Sequence, residues 1–182
     1  MVELNQEDLQ MFSERSSKGN QLKWEHGGVW YKADAAGYEG LAEYLVSGLL
    51  MQSSLETGEY IWYETEEIRY GEQVWRGCSS NDFLQEDEQL ITLERLYMLR
   101  HGRSLYRDVY ALTDGKERLR FLVQAVTEMT GLWDFGIYLA KMLAVDALFL
   151  NEDRHFHNIA VKIDASGKFS LCPLFDHGAT LL

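Results

Sequence analysis

The chain has few basic residues for its number of acids. Its 182 residues include 17 Lys and Arg against 29 Asp and Glu, which gives a formal net charge of −12. A protein that holds nucleic acid by its phosphates needs clustered Lys and Arg, so this balance argues against a nucleic-acid partner. We therefore expect any nucleotide that the chain binds to be small.

Three further features are lacking. The two cysteines, Cys78 and Cys172, lie far apart and do not have the spacing of a metal site. The chain does not start with the charged and then apolar leader of a secreted protein. Its most apolar run, residues 135–150, is interrupted by Lys141 and Asp146 and is shorter than the ~20 residues that cross a bilayer. We expect a cytoplasmic protein, with no membrane partner, that uses this run as a buried helix.

The hydrophobic residues that are present suffice for a folded core. They make up 46% of the chain, enough for one large domain or two small lobes. Strand-like patterns come first and helical patterns follow, which predicts an α+β class. We predict two pairs of strands, at residues 22–25 with 29–33 and at residues 59–70 with 72–76. We predict four helices, at residues 38–51, 90–99, 116–129 and 133–150. Residues 5–12 fit either a short helix or a first strand.

The composition changes near residues 77–85. The segment Gly-Cys-Ser-Ser-Asn at residues 77–81 is typical of a connector, because Gly, Ser and Asn favour turns. We therefore predict two lobes, a strand-rich one at residues 1–82 and a helical one at residues 83–182. In the first lobe, Leu41, Leu45 and Leu49 are spaced as on an amphipathic helix.

The residues with the clearest chemistry follow the last long helix. Asn-Glu-Asp-Arg-His-Phe-His-Asn at residues 151–158 precedes a strand, a turn, a second strand and Pro-Leu-Phe-Asp-His-Gly at residues 173–178. Phosphoryl transfer needs a carboxylate that orients the attacking hydroxyl, and an amide oxygen and a second carboxylate that hold magnesium. Asp153 would be the orienting base, and Asn158 and Asp176 the metal ligands. A β-hairpin between Asn158 and Asp176 would bring these two side by side.

These two motifs resemble those of the HipA-like serine/threonine kinases, a divergent branch of the protein-kinase-like fold. The resemblance implies a two-lobed α+β fold with a strand-rich N-lobe and a helical C-lobe, the latter incomplete here. It implies ATP and Mg²⁺ as cofactors and a protein serine or threonine as the phosphate acceptor. In that family the matching Asp, Asn and Asp are the catalytic and metal-binding positions, here Asp153, Asn158 and Asp176.

The resemblance extends upstream to the nucleotide site. Ser-Ser-Lys-Gly-Asn-Gln at residues 16–21 resembles the family's phosphate loop, in which Ser17 and Gly19 would contact the nucleotide. Residues 77–83 resemble the linker where adenine would sit, with Ser79 as a contact. The resemblance also implies autophosphorylation in the first loop, at Ser13, Ser16 or Ser17.

Lys32 matches the family's ATP-phosphate lysine. A lysine on a strand is a fixed point charge for phosphates, and a helix carboxylate can hold it in place. Glu43 is the preferred partner, and Glu39, one helical turn earlier on the same face, is the competing one. A second buried support is predicted at Asp146, because an acid inside an apolar helix is costly unless it is paired, here with the catalytic loop.

Other interpretations of the motifs remain open. His155 and His157, with Asp176, have the donor types of a transition-metal hydrolase. A non-catalytic binding module of kinase-like shape is a second alternative. Because the helical lobe is expected to be incomplete, we also expect a second copy or a partner chain to cover apolar surface on the helix at residues 133–150. Asp-Phe-Gly at residues 134–136 is set aside as a metal motif, because it precedes the catalytic loop whereas kinase order requires it to follow.

Overall fold

A computed structural model describes residues 1–9 and 21–181 of the chain. The chain folds into two compact units. The first unit contains Met1–Phe83, Phe149–Asp153 and Pro173–Leu182, and the second contains Leu84–Leu148 and Arg154–Cys172. The lobe boundary expected after residue 82 stays a prediction. Four expected site residues lie outside the described residues, namely Ser13, Ser16, Ser17 and Gly19.

A five-stranded sheet forms the centre of the first unit. Its order is β1-β4-β5-β3-β2, and all neighbours are antiparallel except β1 and β4, which are parallel. The strands are β1 (Val2–Leu4), β2 (Lys23–His26), β3 (Val29–Ala33), β4 (Glu64–Tyr70) and β5 (Gln73–Asn81). The predicted hairpin of β2 and β3 is confirmed, and its turn is made by Gly27 and Gly28 in the left-handed region.

The segment predicted as a connector at residues 77–81 is instead the second half of β5. Cys78 and Ser79 complete the ladder with β3 on one side and β4 on the other, opposite Lys32 and Tyr31 and opposite Thr65 and Glu64. Gly and Ser have low strand propensity, but pairing on both edges overrides it here. The irregular stretch lies later, at residues 82–88.

One helix packs on this sheet. The helix α1 runs from Glu39 to Leu50 and confirms the predicted helix, but its leucine stripe is not its buried side. Leu41, Leu45 and Leu49 are 51%, 41% and 54% exposed, whereas the buried side contains Gly40, Ala42, Glu43, Val46, Ser47 and Leu50. Small residues on the buried side let the helix approach β5 closely. The packing gained by this close approach outweighs the free energy that burying the three leucines would contribute.

The second unit combines a three-stranded sheet with helices. The sheet has the order β6-β7-β8, with β6 (Gln89–Thr92), β7 (Ala160–Ile163) and β8 (Phe169–Leu171) all antiparallel. The helices are α2 (Leu93–His101), α3 (Leu105–Tyr110), α4 (Gly115–Thr130) and α5 (Phe135–Phe149). Among the described residues, no helix has the length and apolarity of a membrane span.

Two elements of this unit differ from the sequence prediction. The helix expected from residue 90 begins at Leu93, because Leu90 and Ile91 pair with Lys162 and Val161 as part of β6. Thr92 then caps α2 by accepting a hydrogen bond from the Arg95 backbone N–H at 3.4 Å. The six-residue helix α3 was not predicted, since it is too short to show a clear 3.6-residue period.

Apolar side chains are exposed along α5 and just before it. Trp133, Ile137 and Leu148 are 88%, 66% and 72% exposed, although Phe135 and Met142 of the same segment are buried. The expected covering of this surface by a second copy or a partner chain stays a prediction.

Candidate active site

The predicted site residues fall into two sets that belong to different units. Lys32, Glu43 and Asp176 lie in the first unit, together with Asp153 and Ser79. Asn158 lies in the second unit with residues 154–157 of the predicted catalytic loop. The expected juxtaposition of Asn158 with Asp176 stays a prediction.

The first set is an ion cluster around Lys32. Its Nζ lies 3.1 Å from Glu43 Oε1 and 3.4 Å from Asp176 Oδ1, and 5.1 Å from the centre of the Tyr63 ring. Burial alone lowers the pKa of Lys32, but Glu43, Tyr63 and Asp176 outweigh burial and hold this pKa well above its usual value. Lys32 is therefore a permanently charged ammonium group at neutral pH.

Glu43 connects this lysine to the chain that carries Asp176. The carboxylate is 2% exposed, and its Oε2 accepts a hydrogen bond from the His177 backbone N–H at 2.9 Å. A carboxylate this deeply buried is stable only when charged or hydrogen-bonding partners replace its water. Glu43 has both, so it fixes Lys32 and the backbone next to Asp176 at the same time.

The competing carboxylate has a different role. Glu39 accepts hydrogen bonds from the backbone N–H groups of Ala36, Gly37 and Tyr38 at 2.7–3.2 Å, and so fixes the turn that leads into α1. Burial raises the pKa of Glu39, but these backbone donors outweigh it and lower the pKa below its usual value. Of the two acids that the sequence left open, the structure thus pairs Glu43 with Lys32.

Close backbone packing places Glu43. A Cβ atom on Gly40 would lie 2.4 Å from the Gly77 carbonyl carbon, so α1 passes β5 at a distance that only glycine permits. Asp34 Oδ1 accepts a hydrogen bond from the Gly40 N–H at 2.7 Å, and the Ser47 hydroxyl accepts one from the Tyr63 N–H at 3.2 Å. These contacts fix α1 at both ends relative to the sheet.

A different anchor places Asp176. The backbone of Leu174 exchanges hydrogen bonds with residues 59–61, donating to Glu59 O at 2.7 Å and accepting from Ile61 N at 2.9 Å. Phe175 packs on Phe83, with ring centres 6.0 Å apart, beside the small core of Ile61, Tyr63 and Cys78. Asp176 itself has φ 64° in the left-handed region, where a non-glycine residue is uncommon and strained.

The sequence analysis missed a second lysine at this cluster. Lys23 on β2 is directly opposite Lys32 on β3, so both side chains leave the same face of the sheet. Burial lowers the pKa of Lys23, and the nearby Lys32 lowers it further, while Asp176 and Glu43 raise it. The alternation of β2 and β3 about their glycine turn was the signal that could have found it.

Cys78 and Ser79 lie on the neighbouring strand. Cys78 is opposite Lys32. Burial is the main cause that raises the pKa of the Cys78 thiol to about 12, and the nearby carboxylate of Glu43 adds to it. It is therefore a neutral thiol rather than a nucleophile. Ser79 is half-buried and is the next residue on β5. Because successive residues of a strand alternate, its side chain points to the opposite face of the sheet from that of Cys78.

The second set of residues belongs to the loop at residues 151–158, which the sequence predicts to be catalytic. Arg154 forms a bidentate ion pair with Asp146 of α5, with Nε–Oδ2 2.8 Å and Nη2–Oδ1 2.9 Å, and both side chains are 7% exposed. Arg154 Nη1 also donates to the Asn158 backbone carbonyl at 3.1 Å. The prediction that Asp146 is a buried brace of this loop is confirmed.

Asn158 and the histidines share local hydrogen bonds. Asn158 is 6% exposed, and its Oδ1 accepts the His155 backbone N–H at 2.9 Å. The His157 backbone N–H lies 3.2 Å from His155 Nδ1. Asp153, on the other side of Arg154, donates its own N–H to the Asn151 side chain at 3.1 Å. These bonds form local turns at residues 151–153 and at residues 155–158.

The alternative of a metal site built with imidazoles stays a prediction. Across residues 1–9 and 21–181, no three or more His, Cys, Asp and Glu side chains are grouped to hold a metal ion. Magnesium carried by a nucleotide makes a smaller demand, since one or two side-chain oxygens and the phosphates hold it.

The architecture of the chain is that of a protein-kinase-like fold, with mixed strands and helices. Over 99% of its residues it is similar to a solved structure described as "Crystal structure of A Helicobacter pylori proinflammatory kinase CtkA", with a TM-score of 0.58 and 15% sequence identity. The chain spans 61% of that kinase's length. No protein-family model and no curated protein matches the chain.

Proposed function

We propose that the chain is an ATP- and Mg²⁺-dependent phosphotransferase of the HipA-like type, which transfers phosphate to a serine or threonine of a protein. The observation that carries this proposal is the Lys32 cluster. A charged lysine held by a buried helix carboxylate, beside an aspartate that follows a β-hairpin, is the arrangement that kinases use to bind phosphates. The kinase-like fold is consistent with it.

The first unit would hold the nucleotide. Lys32 would bind the phosphates as a point charge, and Lys23 on the same face of the sheet would add a second one. Ser17, Gly19 and Ser79 stay candidate nucleotide contacts on the basis of the sequence. Lys32 needs no reorientation for this role, because Glu43 already holds it.

Asn158 and Asp176 would hold the magnesium ion. Both offer side-chain oxygens, which this cation prefers to nitrogen or sulfur. The Asn158 side-chain oxygen Oδ1 accepts a hydrogen bond from the His155 backbone N–H, and an amide oxygen is a ligand type that magnesium takes, so its donor chemistry fits. When bound, magnesium neutralises charge on the phosphates of the nucleotide.

Asp153 would act on the acceptor. It would orient the hydroxyl of the protein substrate and accept its proton while the hydroxyl oxygen bonds to the γ-phosphorus and the bond to the leaving ADP oxygen breaks. The Asp146–Arg154 pair keeps the residue next to Asp153 in place, which reduces the freedom of the base.

Transfer of labelled phosphate from Mg-ATP tests the proposal. Wild-type protein should be stabilised against heat by Mg-ATP and should label a protein acceptor. Asp153→Asn should retain the thermal shift and lose at least about a hundredfold in transfer rate, because only the base is removed. Lys32→Met should lose the shift as well. A wild-type shift without transfer would favour the binding module, and stoichiometric bound zinc without a shift would favour the hydrolase.

A further inference from the structure

Positive charge is concentrated in one part of this acidic protein. Residues 93–120 contain seven Lys and Arg against four Asp and Glu, whereas the whole chain has 17 against 29. Six of the seven are exposed, namely Arg95, Arg100, Arg103, Arg107, Lys116 and Arg120, and Arg118 is half-buried. The helices α2, α3 and α4 therefore form a locally basic surface.

Most acids of this segment are already engaged. Asp108 bonds to Arg103 at 2.6 Å and to the Tyr97 hydroxyl at 2.6 Å. Glu94 is buried and accepts from the Tyr106 N–H, and Asp114 accepts the first N–H groups of α4. Glu117 is exposed in the first turn of α4. The acids thus offset only part of the basic charge.

Arg118 of α4 packs on Tyr110 of α3. The Arg118 guanidinium carbon lies 4.8 Å from the centre of the Tyr110 ring, and Arg118 Nε donates to Leu112 O at 2.8 Å, which fixes the plane of the guanidinium. Arg107 precedes Tyr110 by three residues on α3, so the two share a face of that helix. Tyr110 is 61% exposed. We call Arg107, Tyr110 and Arg118 the α3 surface.

The α3 surface is joined to the catalytic loop by packed rings. Tyr106 and Tyr110 are near parallel, at 9°, with centres 5.9 Å apart. The Tyr106 ring also packs on Phe156 at 4.7 Å and on His157 at 6.1 Å, and its hydroxyl accepts the Phe156 N–H at 3.1 Å. Within the second unit, a continuous set of side chains thus connects Arg118 to the loop that follows the proposed base.

We propose that the α3 surface binds an acidic stretch of the polypeptide whose hydroxyl is phosphorylated. This inference rests on the proposed function and names the chemistry of its acceptor. Arginine forks match carboxylates in geometry and charge. Arg118 lies on the exposed Tyr110 ring, Arg107 shares the face of α3 with that ring, and the ring can cover the stems of Asp or Glu side chains. A basic surface next to the catalytic loop selects such a sequence near the acceptor hydroxyl.

Single-stranded nucleic acid fits this surface less well. Such ligands need open aromatic faces on which bases stack. The Tyr106 ring already contacts Tyr110, Phe156 and His157, and the Tyr110 ring is contacted by Tyr106 and Arg118. The net charge of −12 also opposes a ligand with one charge on every nucleotide.

Fluorescence anisotropy with three labelled probes tests the inference: a peptide of serine flanked by glutamates, the same peptide with lysines, and oligo-dT. The full chain should bind the glutamate peptide and should bind it less tightly as salt increases. Arg107→Glu should weaken this binding by about tenfold, because it reverses a charge on the α3 surface. Lys168→Glu, the same charge change in the exposed turn between β7 and β8, should leave it unchanged.

The outcomes separate this inference from the proposed function. Equal binding of the two peptides, or no difference between Arg107→Glu and Lys168→Glu, would overturn the acidic acceptor site. Binding of oligo-dT alone would replace it by a nucleic-acid surface. Because Arg107 is not in the nucleotide site, Arg107→Glu should keep the thermal shift with Mg-ATP. Absence of that shift in the wild type would count against the proposed function. The peptide measurements would then still show independently whether the α3 surface binds an acidic sequence.

Discussion

Gly40 of α1 and Gly77 of β5 touch backbone to backbone. A Cβ atom on Gly40 would lie 2.4 Å from the carbonyl carbon of Gly77, and one on Gly77 would lie 1.9 Å from the carbonyl oxygen of Lys32. The strand that carries the proposed phosphate lysine and the helix that carries Glu43 are therefore held together by main chain rather than by deformable side chains. Several properties of the cluster depend on this contact.

Gly40→Ala should destabilise the protein although alanine favours helix. The methyl group must push α1 away from β5, which costs about 1–3 kcal/mol and lengthens the contact between Glu43 and Lys32. Gly48→Ala on the same helix is the matched control, because its nearest neighbour would be Trp62 at 4.0 Å, and it should stabilise by about 0.5–1 kcal/mol. Urea unfolding measures both. Equal effects of the two substitutions on the free energy of unfolding would show that helix propensity, and not the backbone contact between Gly40 and Gly77, determines the result.

Lys23→Met should increase stability and weaken nucleotide binding. Burial, together with Lys32, lowers the pKa of Lys23, so removing this charge relieves an unfavourable arrangement. If Lys23 contacts phosphate, Mg-ATP affinity should fall by about tenfold, and it should not change in Lys168→Met. Thermal shift and nucleotide titration measure the two effects. Unchanged affinity in Lys23→Met would remove Lys23 from the proposed site.

The same lysine predicts a pH dependence of stability. With a lowered pKa, folded protein binds fewer protons at Lys23 than unfolded chain does between that pKa and the usual value of 10.5. The free energy of unfolding contributed by Lys23 therefore rises as the pH rises through this window. Lys32 has a raised pKa. Its contribution to the free energy of unfolding is therefore fully present below pH 10.5 and is lost as the pH rises from there through the raised pKa. The difference between wild type and Lys23→Met, measured by urea unfolding between neutral pH and about 10, should shrink with pH.

Asp146→Ala should cost about 3 kcal/mol, because it leaves the guanidinium of Arg154 buried without its bidentate partner. The double variant Asp146→Leu with Arg154→Met should recover much of this stability, since it removes both charges together. It should not recover transfer activity if the pair also positions the loop. Urea unfolding and transfer rates of the three proteins separate the two roles. A double variant as unstable as Asp146→Ala would contradict the ion-pair account.

The exposed apolar residues of α5 predict self-association or partner binding. Ile137→Lys should reduce a second sedimenting species, because it places a charge in the middle of the expected contact. Val74→Lys is the control, since Val74 of β5 is 53% exposed in the other unit. Sedimentation velocity over a range of concentrations is the measurement. A wild-type monomer throughout would contradict an interface between copies of this chain.

Regular patterns in the sequence predicted most of the elements. The hairpins and the helices α1, α4 and α5 follow from alternation, helical period and glycine stops, all of which are local. Asp146 could be identified as a buried brace because an acid in an apolar helix needs a partner. The position of α1 was predicted correctly but its buried side was not, because a close approach to β5 favours Gly40 over the leucines.

What escaped prediction depends on distant parts of the chain. The second half of β5 has turn-forming residues and becomes a strand only because β3 and β4 flank it. Leu90 continues a helical pattern, yet pairing with Lys162 makes it part of β6. Lys23 joins the cluster through a register that a turn of two glycines sets. Pairing with distant strands decides the first two cases, and no local signal contains it, whereas the position of Lys23 follows from a local hairpin whose alternation could have revealed it.

The ion cluster has a consequence for the order of folding. Lys32 and Asp176 are 144 residues apart, and Glu43 and the His177 N–H are 134 apart. Contacts of such separation form late, since a long loop must close before they contribute. During synthesis the strands of the first unit are made long before Pro173–Leu182, which complete that unit. Until residues 173–178 are made, Glu43 therefore lacks the hydrogen bond from the His177 backbone N–H, so the proposed nucleotide site cannot be assembled from the strands of the first unit alone.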